Sequence, residues 1–250
     1  MRRMVFYSAG TTASVQNAVQ NLRKAGISFG RAPGPEITDL LLDIPSFDDA
    51  GLLRDGEDPE ALFSRLSRGT RVWGGKLPPL EGLIPMDLLL DPIYLKENAA
   101  ITADCALKLA APMLPTTWKL SSVLILGWGR IGKQLSRTLK ILEAQVTVCA
   151  RKPGDRALLR AFGYEALEPE ALSDRLSQFD LILNTAPARI SPPEVLADFH
   201  GAALDLASVP GLVGDRVTYA RGLPGKLAPK ASGRLIAETL LRKGKEVFEI

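Results

Sequence analysis

The chain has 250 residues, 46% of them hydrophobic, enough for a substantial core and for two modest domains. Its 31 basic and 28 acidic residues are interspersed, leaving a net charge of +3, and aromatics are 6% of the chain, so nothing marks a nucleic-acid-binding surface. No apolar run is long enough to span a membrane, polar Ser8, Thr11 and Thr12 cut short the apolar stretch behind Arg2 and Arg3, and Cys105 and Cys149 form no C-x-x-C pair; a cytoplasmic protein with two buried thiols is expected.

The short apolar stretches Met4 to Tyr7 and Ile27 to Phe29 read as strands. Between them Val15, Ala18, Val19 and Leu22 recur at helical spacing, predicting a helix from Thr11 to Lys24 that Gly26 stops. After the turn-rich Ala32-Pro33-Gly34-Pro35 come apolar Ile37 to Ile44, a helix-like Pro59 to Leu66, and Arg71-Val72-Trp73-Gly74-Gly75. This alternation predicts a small parallel α/β unit without a phosphate-loop pattern, hence a substrate-side domain. From Met86 to Asp91 the character changes, and Leu95 to Ala111 is alanine-rich and free of glycine. Ala100, Ala103, Leu107, Ala110 and Leu114 line one face of a connecting helix that Pro112 and Pro115 end.

Val123 to Leu126 is a continuous apolar run leading into Gly127-Trp128-Gly129-Arg130-Ile131-Gly132. A helix carrying Leu135, Leu139 and Leu142 follows, then a strand from Val146 to Ala150, so the G-x-G-x-x-G pattern sits in a β-α-β frame. In such a frame Gly127 makes the tight turn, Gly129 lets the backbone approach a pyrophosphate, and Gly132 lets the helix lie close to the strand. Where an NAD site carries an acid, this chain reads Ala150-Arg151-Lys152, which points to NADP unless the two cations are merely a solvated strand end.

Pro169 to Phe179 reads as a helix, Asp180 to Leu183 as a buried strand ending in Asn184-Thr185-Ala186-Pro187, and Ser191-Pro192-Pro193-Glu194 as the start of a helix ending near His200-Gly201. Ala202 to Leu206 supplies a further strand, Ala207 to Gly211 a loop, and Ser232 to Lys243 a terminal helix. Ligands of open α/β sheets sit outside the carboxyl ends of the strands, so the loops at Asn184 and Ser208 should border a nicotinamide. The expected architecture is α/β, a Rossmann-type doubly wound parallel sheet plus a smaller N-terminal flavodoxin-like α/β domain. Residues 1–94 form the latter, joined by the terminal helix 232–243; residues 95–117 connect, and residues 118–231 form the NADP-binding domain.

Several stretches carry a family resemblance over most of the chain: Asp87-Leu88-Leu89, Glu97 to Asp104, Gly127 to Gly132, Asn184 to Pro187, Asp205-Leu206-Ala207-Ser208, and Gly222-Leu223-Pro224-Gly225-Lys226 through Gly233. On these the chain resembles the family of dipicolinate synthase A subunits, relatives of the D-2-hydroxyacid dehydrogenase architecture. The resemblance implies an oxidoreductase subunit that makes dipicolinate from dihydrodipicolinate in sporulation, with a nicotinamide cofactor as hydride acceptor and the flavoprotein-like second subunit of dipicolinate synthase as partner. Two departures stand out: the segment between Ser208 and Gly222 is shorter than the family's, and Asp104 occupies a position where glutamate is more usual.

A hydroxyacid dehydrogenase needs a base for the hydroxyl proton, most often histidine. The chain's one histidine, His200, is expected at the strand-entry end, whereas aromatising a dihydropyridine-type ring demands less of a base. A dicarboxylate calls for cations and hydroxyls, so Lys226, on a loop that glycine and proline should rigidify, is the first candidate, with Ser208 and Thr185. Asn98 and Thr102, one helical turn apart, are candidates that helix packing would explain as well; Arg189 and Arg221 are weaker. The expected cofactor contacts are Gly127, Trp128, Gly129, Arg130, Ile131, Gly132, Ala150, Arg151, Lys152, Asn184, Thr185, Ala186 and Pro187, with no metal site. A homo-oligomer is expected. Two alternatives stay open: a non-catalytic NADP-binding scaffold or regulatory subunit, and a D-2-hydroxyacid-type dehydrogenase.

Overall fold

A computed structural model describes residues 4–54, 56–189, 196 and 199–248. The chain divides into two compact units, one formed by Met1–Asn98 with Pro224–Ile250 and the other by Ala99–Leu223.

In the first unit, strands β1 (Val5–Ser8), β2 (Ser28–Phe29), β3 (Asp39–Leu41), β4 (Arg71–Gly74) and β5 (Ile84–Asp87) form one parallel sheet in the order β2-β1-β3-β4-β5. This is the flavodoxin-like order, with its reversal between β1 and β3. Helix α1 (Ala13–Lys24) starts where Thr12 caps the N–H of Val15 and ends with Arg23 and Lys24 in its last turn. Asp58 caps α2 (Pro59–Phe63), whose first residue is proline. Leu40, Leu42, Leu53, Leu62 and Val72 make the core on one side of the sheet. A charged knot sits in the same sheet: Arg71 grips Asp39 with two bonds of 2.7 Å, and Trp73 Nε1 donates to the same carboxylate at 2.7 Å. Helix α3 (Pro92–Ala110) leaves this unit, and the division between the units falls within it.

The second unit is a parallel sheet of β6 (Ser122–Leu126), β7 (Gln145–Cys149), β8 (Glu165–Leu167), β9 (Leu181–Asn184), β10 (Ala202–Asp205) and β11 (Val217–Tyr219). Its order, β11-β10-β9-β6-β7-β8, is the Rossmann order, reversing between β6 and β9. Helices α4 (Arg130–Ile141) and α5 (Pro153–Ala161) make the crossovers on the β6 to β8 side. Leu124, Leu126, Ile182 and Ala203 from the strands pack with Leu172, Leu176 and Phe179. The expected fold class therefore holds in both sheets.

Helix α6 (Leu223–Leu227) and helix α7 (Pro229–Phe248) follow. Helix α7 lies against α1 so closely that a Cβ on Gly233 would stand 2.5 Å from Ser14 O and from Asn17 Cβ. Its far end is tied by Arg242 and Lys243, 2.8 and 3.1 Å from the buried Asp91, which also accepts the Tyr94 N–H at the start of α3. Burial alone would raise the Asp91 pKa, but the Tyr94 N–H and the two cations outweigh it and bring the carboxyl down to about 2.

Three expectations change. Pro169 to Phe179 is not one helix but two 3₁₀ segments, Pro169–Ala171 and Ser173–Gln178; Leu172, Leu176 and Phe179 mimic helical spacing while packing as separate turns. Gly222-Leu223-Pro224-Gly225-Lys226 is not a rigid loop: Gly222 turns at φ +65° and the next residues form α6, where proline's fixed φ suits a first turn. Strands β5, β8 and β11 and helix α5 add to the elements read from the sequence. The helix expected from Ser191 lies outside the described residues.

Candidate functional site

The glycine turn of the second unit follows from its packing. Strand β6 is buried from Val123 to Leu126, and the chain leaves it through Gly127 at φ +101°, where a Cβ would lie 2.9 Å from Thr185 Oγ1. A Cβ on Gly132 would meet Gly127 O at 2.3 Å, so α4 can sit on the turn only with glycine there. Gly129 differs: nothing lies within 4 Å of the position its Cβ would take. As the N-cap of α4 it offers no side chain to the first-turn N–H groups. An open, backbone-lined helix start of this kind fits a dinucleotide pyrophosphate. Arg130 is exposed beside it and Ile131 half-buried.

Trp128 folds edge-on against Tyr164, ring centres 5.9 Å apart. Lys133 Nζ lies 5.6 Å from the Trp128 ring and Lys140 Nζ 4.5 Å from the Tyr164 ring. Lys140 also donates to the carbonyls of Phe162 and Gly163. This ladder of cations and rings holds the turn against the residue preceding β8.

The carboxyl ends of β6, β7 and β9 bring most of the expected cofactor contacts together. Thr185 donates from N and Oγ1 to Leu126 O at 2.8 and 3.0 Å, and Gly127 N donates to Cys149 O at 2.9 Å. Asn184 is wholly buried; its amide donates to Asp205 Oδ1 at 3.0 Å and its oxygen accepts the Ala186 N–H at 3.1 Å. Asp205, buried as well, accepts the N–H groups of Ala207, Gly211 and Leu212 at 2.8 to 2.9 Å. Asn184 therefore shapes the loops after β9 and β10 with Asp205, while Ala186 lies against the turn at Gly127 and Pro187 is exposed beyond it. The role of Asp205 goes unread in the sequence; an acid ending a buried strand before a loop rich in small residues is the signal that could have found it.

At the exit of β7, Ala150 is buried and Arg151 and Lys152 are exposed. Arg156, from the first turn of α5, donates to the carbonyls of Ala150 and Arg151 at 2.9 and 2.8 Å and reaches Glu168 at 3.4 Å, fixing the backbone that carries the two exposed cations. Burial pushes the Cys149 thiol up to about 11, and burial with Asp104 beside it raises that of Cys105, so both thiols stay protonated and inert near neutral pH.

The expected substrate-side residues are not gathered in one unit. Lys226 is exposed on α6 in the first unit, and Ser208 is exposed after β10 in the second. Asn98, half-buried, ends the first unit's share of α3, and Thr102, buried, belongs to the second. Arg189 and Arg221 are exposed. His200 stands before β10, at the sheet end opposite Asn184 and Asp205. Among the described residues no cluster of histidine, cysteine and acids could hold a metal ion, and no helix is long and apolar enough to cross a membrane.

No family model matches the chain. The A subunit of dipicolinate synthase from Bacillus subtilis (strain 168) is 31% identical over 160 residues, 60% of this chain and 54% of that protein, so the match spans about half the length of the curated relative. The crystal structure of the corresponding subunit from Bacillus halodurans superposes with a TM-score of 0.81 at 21% identity, covering 97% of each chain. That from Bacillus subtilis gives 0.82 at 20% identity over 99% of this chain and 97% of the other. A D-isomer specific 2-hydroxyacid dehydrogenase from Xanthobacter autotrophicus Py2 gives 0.54 at 16% identity over 96% of both. In sequence and in fold the chain is thus similar to the dipicolinate synthase A subunits, as its motifs lead one to expect, on the architecture of the D-2-hydroxyacid dehydrogenases.

Proposed function

We propose that the chain is an NADP-dependent oxidoreductase subunit that converts dihydrodipicolinate to dipicolinate in sporulation, in the cytoplasm, alongside the flavoprotein-like second subunit of dipicolinate synthase and as a homo-oligomer. The observation that carries this reading is the backbone-lined turn Gly127–Gly132 on a chain similar to the A subunit of that synthase. NADP would accept the hydride from the dihydropyridine ring, which also loses one proton and becomes aromatic. The chain's own part is positioning. The open start of α4 would hold the pyrophosphate, with Arg130 beside it, and the exit of β7 would receive the ribose. Support for NADP over NAD is the absence of a carboxylate there and the presence of Arg151 and Lys152 on a backbone anchored by Arg156. Thr185, Ala186 and Pro187 would border the nicotinamide.

Incubation of the purified chain with freshly generated dihydrodipicolinate and NADP, alone and with the flavoprotein-like second subunit, tests the reading. The expected result is pyridine-ring absorbance and NADPH appearing together, faster than the spontaneous reaction. No acceleration in either mixture overturns it. Tight NADP binding without turnover would favour the scaffold reading, for which the short segment between Ser208 and Gly222 speaks.

A further inference from the structure

The first unit has its own ligand-ready end. Its sheet reverses order between β1 and β3, and the loops leaving β1, β3 and β4 surround a cavity of about 730 Å³. Open parallel sheets take ligands at such a reversal. Thr11, Arg54 and Lys76 line the cavity.

Lys76 is held in an unusual way. Its φ is +57°, a left-handed backbone that L-residues other than asparagine, aspartate and histidine seldom adopt. Both neighbours are pinned: Gly75 N donates to Ser46 Oγ at 3.0 Å and Gly75 O accepts from Ser46 N at 2.9 Å, while Leu77 N donates to Asp87 Oδ2 at 3.1 Å. Gly74 and Gly75 permit this clamp, since a Cβ on Gly74 would stand 2.1 Å from Ser46 Oγ and one on Gly75 2.8 Å from Ile44 Cγ2. The side chain so presented is exposed and has no partner among the described residues. A glycine at position 76 would relieve the backbone, so the lysine is kept against a local disadvantage, which is the pattern of a functional side chain.

Asp48 and Asp49 line the cavity as well, and hydrogen bonds fix Asp43 and Asp48 in place. Asp43, buried, accepts the N–H and hydroxyl of both Thr11 and Thr12, and Asp48 accepts the N–H groups of Ala50 and Leu52; Asp49 is exposed. Arg54 donates through Nε to Pro45 O at 3.2 Å, which orients the guanidinium, and among the described residues its terminal nitrogens have no partner. Two presented cations suit an acceptor-rich ligand with two negative ends.

The geometry points to this cavity as a dicarboxylate site in which Lys76 and Arg54 each take one carboxylate. For the identity of the natural ligand this rests on the dihydrodipicolinate reading, but it places carboxylate binding on residues outside the Lys226 and Ser208 pair.

Titrating the full chain with pyridine-2,6-dicarboxylate at low ionic strength, by calorimetry, tests the site. Lys76→Gly should weaken binding at least tenfold while leaving Tm unchanged or higher, because glycine adopts the backbone freely. Lys76→Arg should retain most of the affinity, and Arg54→Gln should lose it several-fold. Wild-type affinity in Lys76→Gly and Arg54→Gln, or no binding by the wild type, overturns the site. If the wild type turns over dihydrodipicolinate with a KM that Lys76→Gly leaves unchanged, the site falls and the enzymatic reading stands. Lys76-dependent dicarboxylate binding without turnover of dihydrodipicolinate leaves the site standing and removes the reading.

Discussion

Both sheets are open and parallel, and each reverses its strand order at a place where loops leave the carboxyl ends, yet the two ends are built from opposite materials. The second unit offers backbone: glycines at 127, 129 and 132, an uncapped helix start, and loops folded over the Asn184–Asp205 pair. The first offers side chains, Lys76 and Arg54, on loops clamped by Ser46, Asp87 and Pro45. A backbone site suits a ligand shared by many chemistries, because it depends on absent side chains. A side-chain site can be retuned by single substitutions, as substrate choice requires.

The largest effect should come from closing the backbone site. Gly132→Val puts a Cβ 2.3 Å from Gly127 O. It should lower dinucleotide affinity by about a hundredfold and stability by about 3 kcal/mol, read by NADPH fluorescence titration and by denaturant unfolding. Dicarboxylate binding in the same variant should stay at the wild-type value if the two ends are independent. Next comes Asp205→Ala, which strands three buried donors, the N–H groups of Ala207, Gly211 and Leu212, leaves Asn184 Nδ2 only its 3.4 Å bond to Ala186 O, and should cost about 3 kcal/mol. Denaturant unfolding with an unchanged slope checks it.

The first unit has its own acid-sensitive point. Asp91 is held at about 2 against an ordinary 3.8, so its contribution is complete above the ordinary value and disappears as pH falls through about 2. The difference amounts to about 2 kcal/mol. The protection of α7 amides against hydrogen exchange, relative to their intrinsic rates, should therefore fall between pH 4 and 2, a change that Asp91→Asn should flatten. The smallest expected effect is Arg151→Asp, about tenfold in NADP affinity with little change for NAD, measured as the ratio of the two dissociation constants. An unchanged ratio would remove Arg151 from the 2′-phosphate.

Much of this comparison is legible in the residues alone. The run Val123 to Leu126 and the helical spacing of Leu135 and Leu139 repeat a pattern over enough residues to declare β6 and α4, and the glycines between them have geometric duties that any such frame imposes. Strands β8 and β11 escape because each is three residues long and lies at a sheet edge, where half the side chains meet solvent and alternation cannot be read. Strand β5 hides behind Pro85, which an edge strand tolerates. Pro224 and Gly225 read as turn formers because their residue types suit a loop and a first helical turn equally. Lys76 cannot be read at all. Its backbone conformation is imposed by Ser46 and Asp87, thirty and eleven residues away, and no local pattern carries such tethers.

The packing of α7 on α1 has a consequence for where the chain can be cut. The second unit is one uninterrupted stretch, whereas the first is assembled from both sides of it. Every strand of the Rossmann sheet thus precedes α7 in the chain, whereas α1 depends on Gly233 of α7 for its packing. A released chain ending at residue 223 should therefore still bind the dinucleotide, while its first unit lacks α7.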